Sequence, residues 1–214
     1  MGTFVFGKTA YNRIDMVCKH LDMSWPVGGN LPRHIPQTGE PGSFWEDRGD
    51  RHHAGVDLYA PVSSPVLAIQ ASQILRISVH TSPGILPFWN TTYAIILQLP
   101  SGIILRYAEL GEISVSVDQV VTCGQILGYV GQVLLPNRVI PTDPQYIHLL
   151  KDSNNSSMLH LEAYATPPLE NDEYYVGGSY VGLSIPPANL IDPSLILEEI
   201  LRNQSSQAPE NQVY

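Results

Sequence analysis

The sequence predicts a mainly β domain, a two-layer antiparallel sheet with short helices at its N- and C-terminal ends, and three observations carry that expectation. The chain of 214 residues holds 17 Gly and 18 Pro, so turns are frequent and long helices have little room. Tyr outnumbers Phe 11 to 4, and no long Ala/Glu/Lys/Leu stretch occurs. Short runs rich in Ile, Val, Leu and Tyr recur at close spacing, separated by Pro, Gly, Ser or Asn.

Taken in order, TAYNRIDMVCKHLD (9–22) sets Tyr11, Ile14, Val17, Cys18 and Leu21 on one helical face, with Thr9 as a cap. The next stretch, through Asp50, is loop. Strands are expected at 66–70, 73–79, 93–99, 103–108 and 125–130, with Pro100-Ser101-Gly102 as a tight hairpin. Residues 132–157 read as a polar surface loop, and MLHLEAY (158–164) as a further strand. YYVGGSYV (174–181) reads as an added hairpin turning at Gly177–Gly178. Asp192 as cap and Pro193 at the first helical position open a C-terminal helix over IDPSLILEEILRN. The expected organisation is an N-terminal helical extension (1–24), one domain (25–202) with insertions at 132–157 and 169–189, and a disordered tail (203–214).

The formal net charge of −9 and the scattered Lys and Arg exclude the basic footprint of a nucleic-acid binder. No classical signal peptide or transmembrane segment is read in the sequence, so the expectation is a soluble protein without membrane insertion. Cys18 and Cys123 form no CxxC motif and read as small buried hydrophobes, although a disulfide remains open.

Two constellations could carry chemistry. In His53-Ala-Gly-Val-Asp57 the side chains at i and i+4 point to one side, and Gly55 permits a close bend of the backbone. In Met158-Leu159-His160-Leu161-Glu162, alternation puts Met158, His160 and Glu162 on one face of a strand. Two imidazoles and a carboxylate are a known catalytic zinc set that leaves a coordination position open. From the residues alone each piece is weak, because HxxxD often arises by chance and a His in a strand is more often an ordinary core or surface residue than a ligand.

The ordered series WPV (25–27), HAGVDLYAP (53–61), PVLAI (65–69), RYAEL (106–110), GQILGYVG (124–131), LHLEAY (159–164) and IDP (191–193) resembles the lysostaphin/LytM family of zinc metallopeptidases, which cleave peptide crosslinks of peptidoglycan. The resemblance implies a lysostaphin, or barrel-sandwich-hybrid, fold and a Zn²⁺ cofactor held by His53, Asp57 and His160. It implies a peptide or peptidoglycan crosslink as substrate. Two positions depart from the family pattern. The first His of the family's HxH is Met158 here, and the catalytic His of its Y-x-H-L strand falls on Glu109. A thioether moves no proton, whereas a carboxylate acts as a base in other zinc peptidases. Glu109 is therefore the expected catalytic residue; the alternative is a carboxylate paired with Arg106 or facing water. Glu162 either orients a ligand from behind or is a surface charge. His148 is expected as an exposed loop residue, although a substitute acid is the other reading. The insertion at 132–157 is expected to wall the groove beside the metal. His52 adjoins the ligand without being one, and His20, His34 and His80 have no partner visible in the sequence. The sequence offers no obvious oxyanion donor. The rival to an enzyme is a zinc-binding module, catalytically inactive, that binds peptide or protein partners. A biotinyl- or lipoyl-carrier reading fails because Asp118-Gln119 stands where a modifiable Lys is needed.

Overall fold

Branched and planar side chains pack well on a pleated surface, and the Ile-, Val- and Tyr-rich runs become strands. The computed structural model describes residues 23–206 apart from 154 and 170, so the helix expected at 9–22, with Cys18 and His20, lies outside the described residues. The strands are β1 (Arg51–His53), β2 (Val56–Tyr59), β3 (Pro65–Leu67), β4 (Ser72–Thr81), β5 (Thr92–Gln98), β6 (Ile104–Ile113), β7 (Val120–Val121), β8 (Ile126–Val130), β9 (Met158–Tyr164), β10 (Tyr175–Val176), β11 (Ser179–Val181) and β12 (Leu190–Ile191).

They form two antiparallel sheets. The larger runs β12-β9-β6-β5-β4-β7, with β2 on β9 and with β8 joining β6 to β3. The smaller is β1-β11-β10. The β5–β6 turn closes where Pro100-Ser101-Gly102 predicts it, with Leu99 N–H donating to Ile103 O and Gly102 N–H to Leu99 O, both at 2.9 Å. Gly177 and Gly178 turn the small hairpin at φ 52° and 80°, as a two-glycine hairpin allows.

The main core gathers Val66, Ile95, Leu97, Leu105, Tyr107, Leu159 and Leu161 under the C-terminal helix, which contributes Ile196, Leu197 and Ile200. That helix spans Ser194–Ser206, and Asp192 Oδ1 accepts from Ser194 N–H at 2.9 Å. It runs past the expected end at Asn203 because no Pro or Gly interrupts it there. Cys123 is half-buried, and its thiol meets Ile69 O at 3.3 Å, so the fully buried hydrophobe expected there is not found.

The stretch 132–157 departs from a plain loop. It holds a 3₁₀ turn (Pro136–Arg138) and an α-helix (Gln145–Asp152) that begins just after Pro144. Ile147 of this helix joins Phe88, Trp89, Val133, Leu134 and Met158 in a second apolar cluster, with Tyr146 and Leu150 packed against it. These three helix side chains suffice to dock a short amphipathic helix of about two turns. Among the described residues, no helix is long and apolar enough to cross a membrane.

Candidate metal centre and active site

The HxxxD segment crosses between the two sheets: His53 ends β1 of the small sheet, and Asp57 lies in β2 of the large one. Only Gly fits the link, because a Cβ on Gly55 would stand 2.2 Å from the Leu161 carbonyl oxygen of β9. That close approach sets the register that pairs Asp57 with His160 across β2 and β9. Asp57 Oδ1 lies 2.9 Å from His160 Nδ1 and 3.2 Å from His53 Nε2, and the two ring nitrogens are 2.9 Å apart. All three side chains are buried.

The outer hydrogen bonds fix which ring nitrogens face this triangle. His53 Nδ1 lies 2.8 Å from Ser43 O, a carbonyl that only accepts, so Nδ1 carries the proton and Nε2 presents a lone pair. His160 Nε2 donates to Glu162 Oε1 at 2.8 Å, so its Nδ1 also presents a lone pair. Two lone pairs and a carboxylate oxygen thus converge on one point, an arrangement that is repulsive until a cation or proton sits between them. The donor chemistry fits Zn²⁺, with each imidazole braced from behind. Without a metal the same demand appears as a proton. Burial alone would lower the His160 pKa, but hydrogen bonds to Asp57 and Glu162 outweigh it and push it up to about 9.

Both carboxylates in contact with His160 are held ionised. Burial would raise Asp57, but His53 and His160 outweigh it and hold its carboxyl well below the usual range. Arg48 adds an ion pair at 3.0 Å from Nη2 to Asp57 Oδ2, leaving Oδ1 for the triangle. Burial is likewise overcome at Glu162, chiefly by Arg106 at 3.3 Å and by His160. The Tyr164 and Tyr175 hydroxyls also donate to Glu162, and the Arg106 guanidinium lies 4.4 Å over the Tyr175 ring. Glu162 is therefore a fully buried partner of His160 and not a surface charge. Arg106 serves Glu162, which removes the reading that paired it with Glu109.

Glu109 is placed by a β-bulge. Tyr93 pairs with Leu110 but Ile95 with Tyr107, so Ala108 and Glu109 together oppose Ala94, and Glu109 takes a left-handed φ of 64°. The bulge inverts the alternation: Tyr107 and Leu110 both enter the main core, while Glu109 turns toward Thr92. Its Oε2 accepts from the Thr92 hydroxyl at 2.7 Å and, less closely, from Thr81 at 3.4 Å. Burial drives its pKa up, the Thr92 bond partly offsets this, and the result is about 7.

A cavity of about 570 Å³ opens on these groups and is lined by Asp57, Glu109, Met158 and His160. Arg48, Tyr59 and Trp89 border it, and Tyr146, Ile147 and Leu150 bring the inserted helix to its edge, so residues 132–157 do wall the site. His148 is half-buried on that helix and is not among the residues lining the cavity. His52 stacks on Trp45 with centroids 4.8 Å apart, away from the triangle, and His34 bonds Glu40 at 2.9 Å. Sequence reasoning missed Arg48, Thr92 and His80, which no local motif marks.

Residues 51–139 match the sequence profile of peptidase family M23. The matched segment includes His53, Asp57 and Glu109 and ends inside the insertion, before His160. No curated protein matches the chain. Among solved structures, the catalytic domain of lysostaphin from Staphylococcus simulans aligns at 17% identity over 85% of this chain and 95% of its own, with TM-score 0.41. A putative glycyl-glycine endopeptidase LytM from Ruminococcus gnavus aligns at 16% identity over 92% and 67%, with TM-score 0.49. A zinc-containing peptidase from Vibrio cholerae aligns at 20% identity over 67% of this chain and 36% of its own, with TM-score 0.43. Residues 51–139 are therefore similar to peptidase family M23, in keeping with the lysostaphin/LytM type that the motifs of the chain resemble.

Proposed function

We propose that the protein is a zinc-dependent endopeptidase acting on peptide crosslinks of peptidoglycan, with His53, Asp57 and His160 as ligands and Glu109 as the base. The observation that carries this reading is the convergence of two imidazole lone pairs and one carboxylate oxygen beside a cavity that Glu109 also lines. The family match supports the substrate class.

A bound zinc ion would polarise the scissile carbonyl and make an attacking water more acidic. The remaining work falls to the chain's own side chains. Glu109, with an acid range near neutrality, takes a proton from the attacking water and returns it to the leaving amine. Thr92 fixes one of its oxygens. Arg48 holds the second oxygen of Asp57 and so orients that ligand. Met158 contributes an apolar lining with no proton to move.

The test is turnover of isolated peptidoglycan and wall peptides by zinc-loaded protein, with products identified by mass spectrometry. Wild type should bind about one zinc per chain. Glu109→Gln should keep the zinc while turnover falls roughly 10²–10⁴-fold. Zinc retained with no cleavage, both in wild type and in Met158→His, would replace this reading with a non-hydrolytic module that binds peptide or protein partners.

A further inference from the structure

His80 is a buried imidazole of the site that neither the metal triangle nor the base, as described so far, employs. It lies near the end of β4, three strands from β9 in the large sheet. Its ring nevertheless stacks on that of His160, with centroids 5.8 Å apart and planes 23° off parallel. Its side chain is 3% exposed, and Nε2 has no hydrogen-bond partner. Buried ring nitrogens are rarely left in that condition, and an orphan of this kind beside a site calls for an account. Glu109 Oε1 lies 3.7 Å from it, just beyond a direct hydrogen bond.

The other Glu109 oxygen is already engaged. Thr92 donates to Oε2 at 2.7 Å, and Thr81, the residue after His80, bonds Thr92 at 2.6 Å. The carboxylate therefore has hydroxyls from β4 and β5 on one oxygen and an imidazole facing the other. Where the family pattern has a histidine, β9 carries Met158, and the additional imidazole comes from β4 instead.

We propose that His80 is a positioning residue for Glu109: its Nε2–H donates to Glu109 Oε1 and, with Thr92 on Oε2, holds the carboxylate facing the cavity. The geometry is that of an activated base oriented by a third group, in which a slight rotation closes a contact that is long at rest. A neutral imidazole has a single N–H to give, and giving it from Nε2 satisfies the one ring nitrogen of His80 that is buried without a partner. This inference rests on Glu109 acting as the base, and the experiment separates the two claims.

Two substitutions divide the donor from the bulk. His80→Gln places an amide N–H where Nε2–H stood, and His80→Leu fills the space without a donor. Both should bind zinc as wild type does. His80→Leu should lower kcat roughly 10²-fold with KM little changed, since the base is misplaced while the cavity is kept, and His80→Gln should recover most of that loss. A second readout needs no turnover. In ¹⁵N-labelled wild-type protein, the His80 ring should show the Nε2–H tautomer, and its resonance should move on Glu109→Gln. An Nε2 without a proton, or a resonance indifferent to Glu109→Gln, overturns the proposal, as does wild-type kcat in His80→Leu. If wild type cleaves nothing, the peptidase reading falls, while the tautomer measurement still decides the His80–Glu109 bond. The same measurement stands if His80→Leu does not fold.

Discussion

Replacing Gly55 with Ala tests whether the β2–β9 contact builds the site. The added Cβ would lie 2.2 Å from the Leu161 oxygen and 2.9 Å from its carbonyl carbon. Both are backbone atoms, so no rotamer change relieves the clash. Restoring ordinary contact requires β2 and β9 to part by roughly 1 Å next to the Asp57–His160 pair. Overpacking of this kind costs about 1–3 kcal/mol, and a weakened ladder bond adds roughly 1 kcal/mol. In a domain of this size a loss of about 3 kcal/mol lowers Tm by roughly 6–12 °C. The displacement also exceeds the roughly 0.5 Å within which a binding constellation must be held, so zinc retention should fail. The assay is thermal unfolding in chelator, which isolates packing from metal binding, followed by zinc content after reconstitution. Gly84→Ala is the control: Gly84 is exposed, its nearest neighbour is Ser82 Oγ at 3.6 Å, and stability should change by no more than about 0.5 kcal/mol. A Gly55→Ala protein that melts within about 2 °C of wild type in chelator and still takes up one zinc would refute the reasoning.

Glu162→Gln removes the charge behind His160 and leaves Arg106 buried without its counter-charge; chelator competition should show metal affinity down roughly 10–100-fold. In metal-free protein the same change should cost roughly 3–5 kcal/mol by denaturant unfolding. Glu109→Gln should act in the opposite direction on stability. Burial raises the Glu109 pKa from the ordinary 4.5 to about 7, so between those values the folded chain keeps a proton that the unfolded chain has released. Stability of metal-free wild type therefore declines as pH rises through that window, and Glu109→Gln should flatten the decline and be more stable above it by up to roughly 3 kcal/mol. Equal slopes for the two proteins in urea unfolding from pH 4.5 to 8 would rule this out.

Much of the site was legible because it lies in short-range pattern. The alternation in Met158–Glu162 put His160 beside Glu162, and the four-residue step of HxxxD matched a link that only Gly55 allows. What escaped was non-local. Strict alternation along β6 would send Glu109 into the core with Tyr107, and the inversion that prevents this depends on how β5 pairs, which no single strand reveals. Arg48 and His80 arrive from a loop and a distant strand, where sequence spacing carries no signal of approach. The helix within 132–157 was hidden by prolines and a polar run, since one short helix needs only a few apolar side chains to dock.

The small sheet gains a second meaning from where it places His53. That residue is the contribution of β1 to the triangle, Ala54 N–H donates to Gly178 O at 2.9 Å, and a Cβ on Gly178 would stand 2.9 Å from the His160 ring. A cation at this point would rivet two sheets that otherwise meet through loops and side chains. Metal occupancy would then report in the backbone of a hairpin that supplies no ligand of its own: amides of Tyr175–Val181 should exchange more slowly when the site is filled, by the binding free energy that the folded state alone can collect.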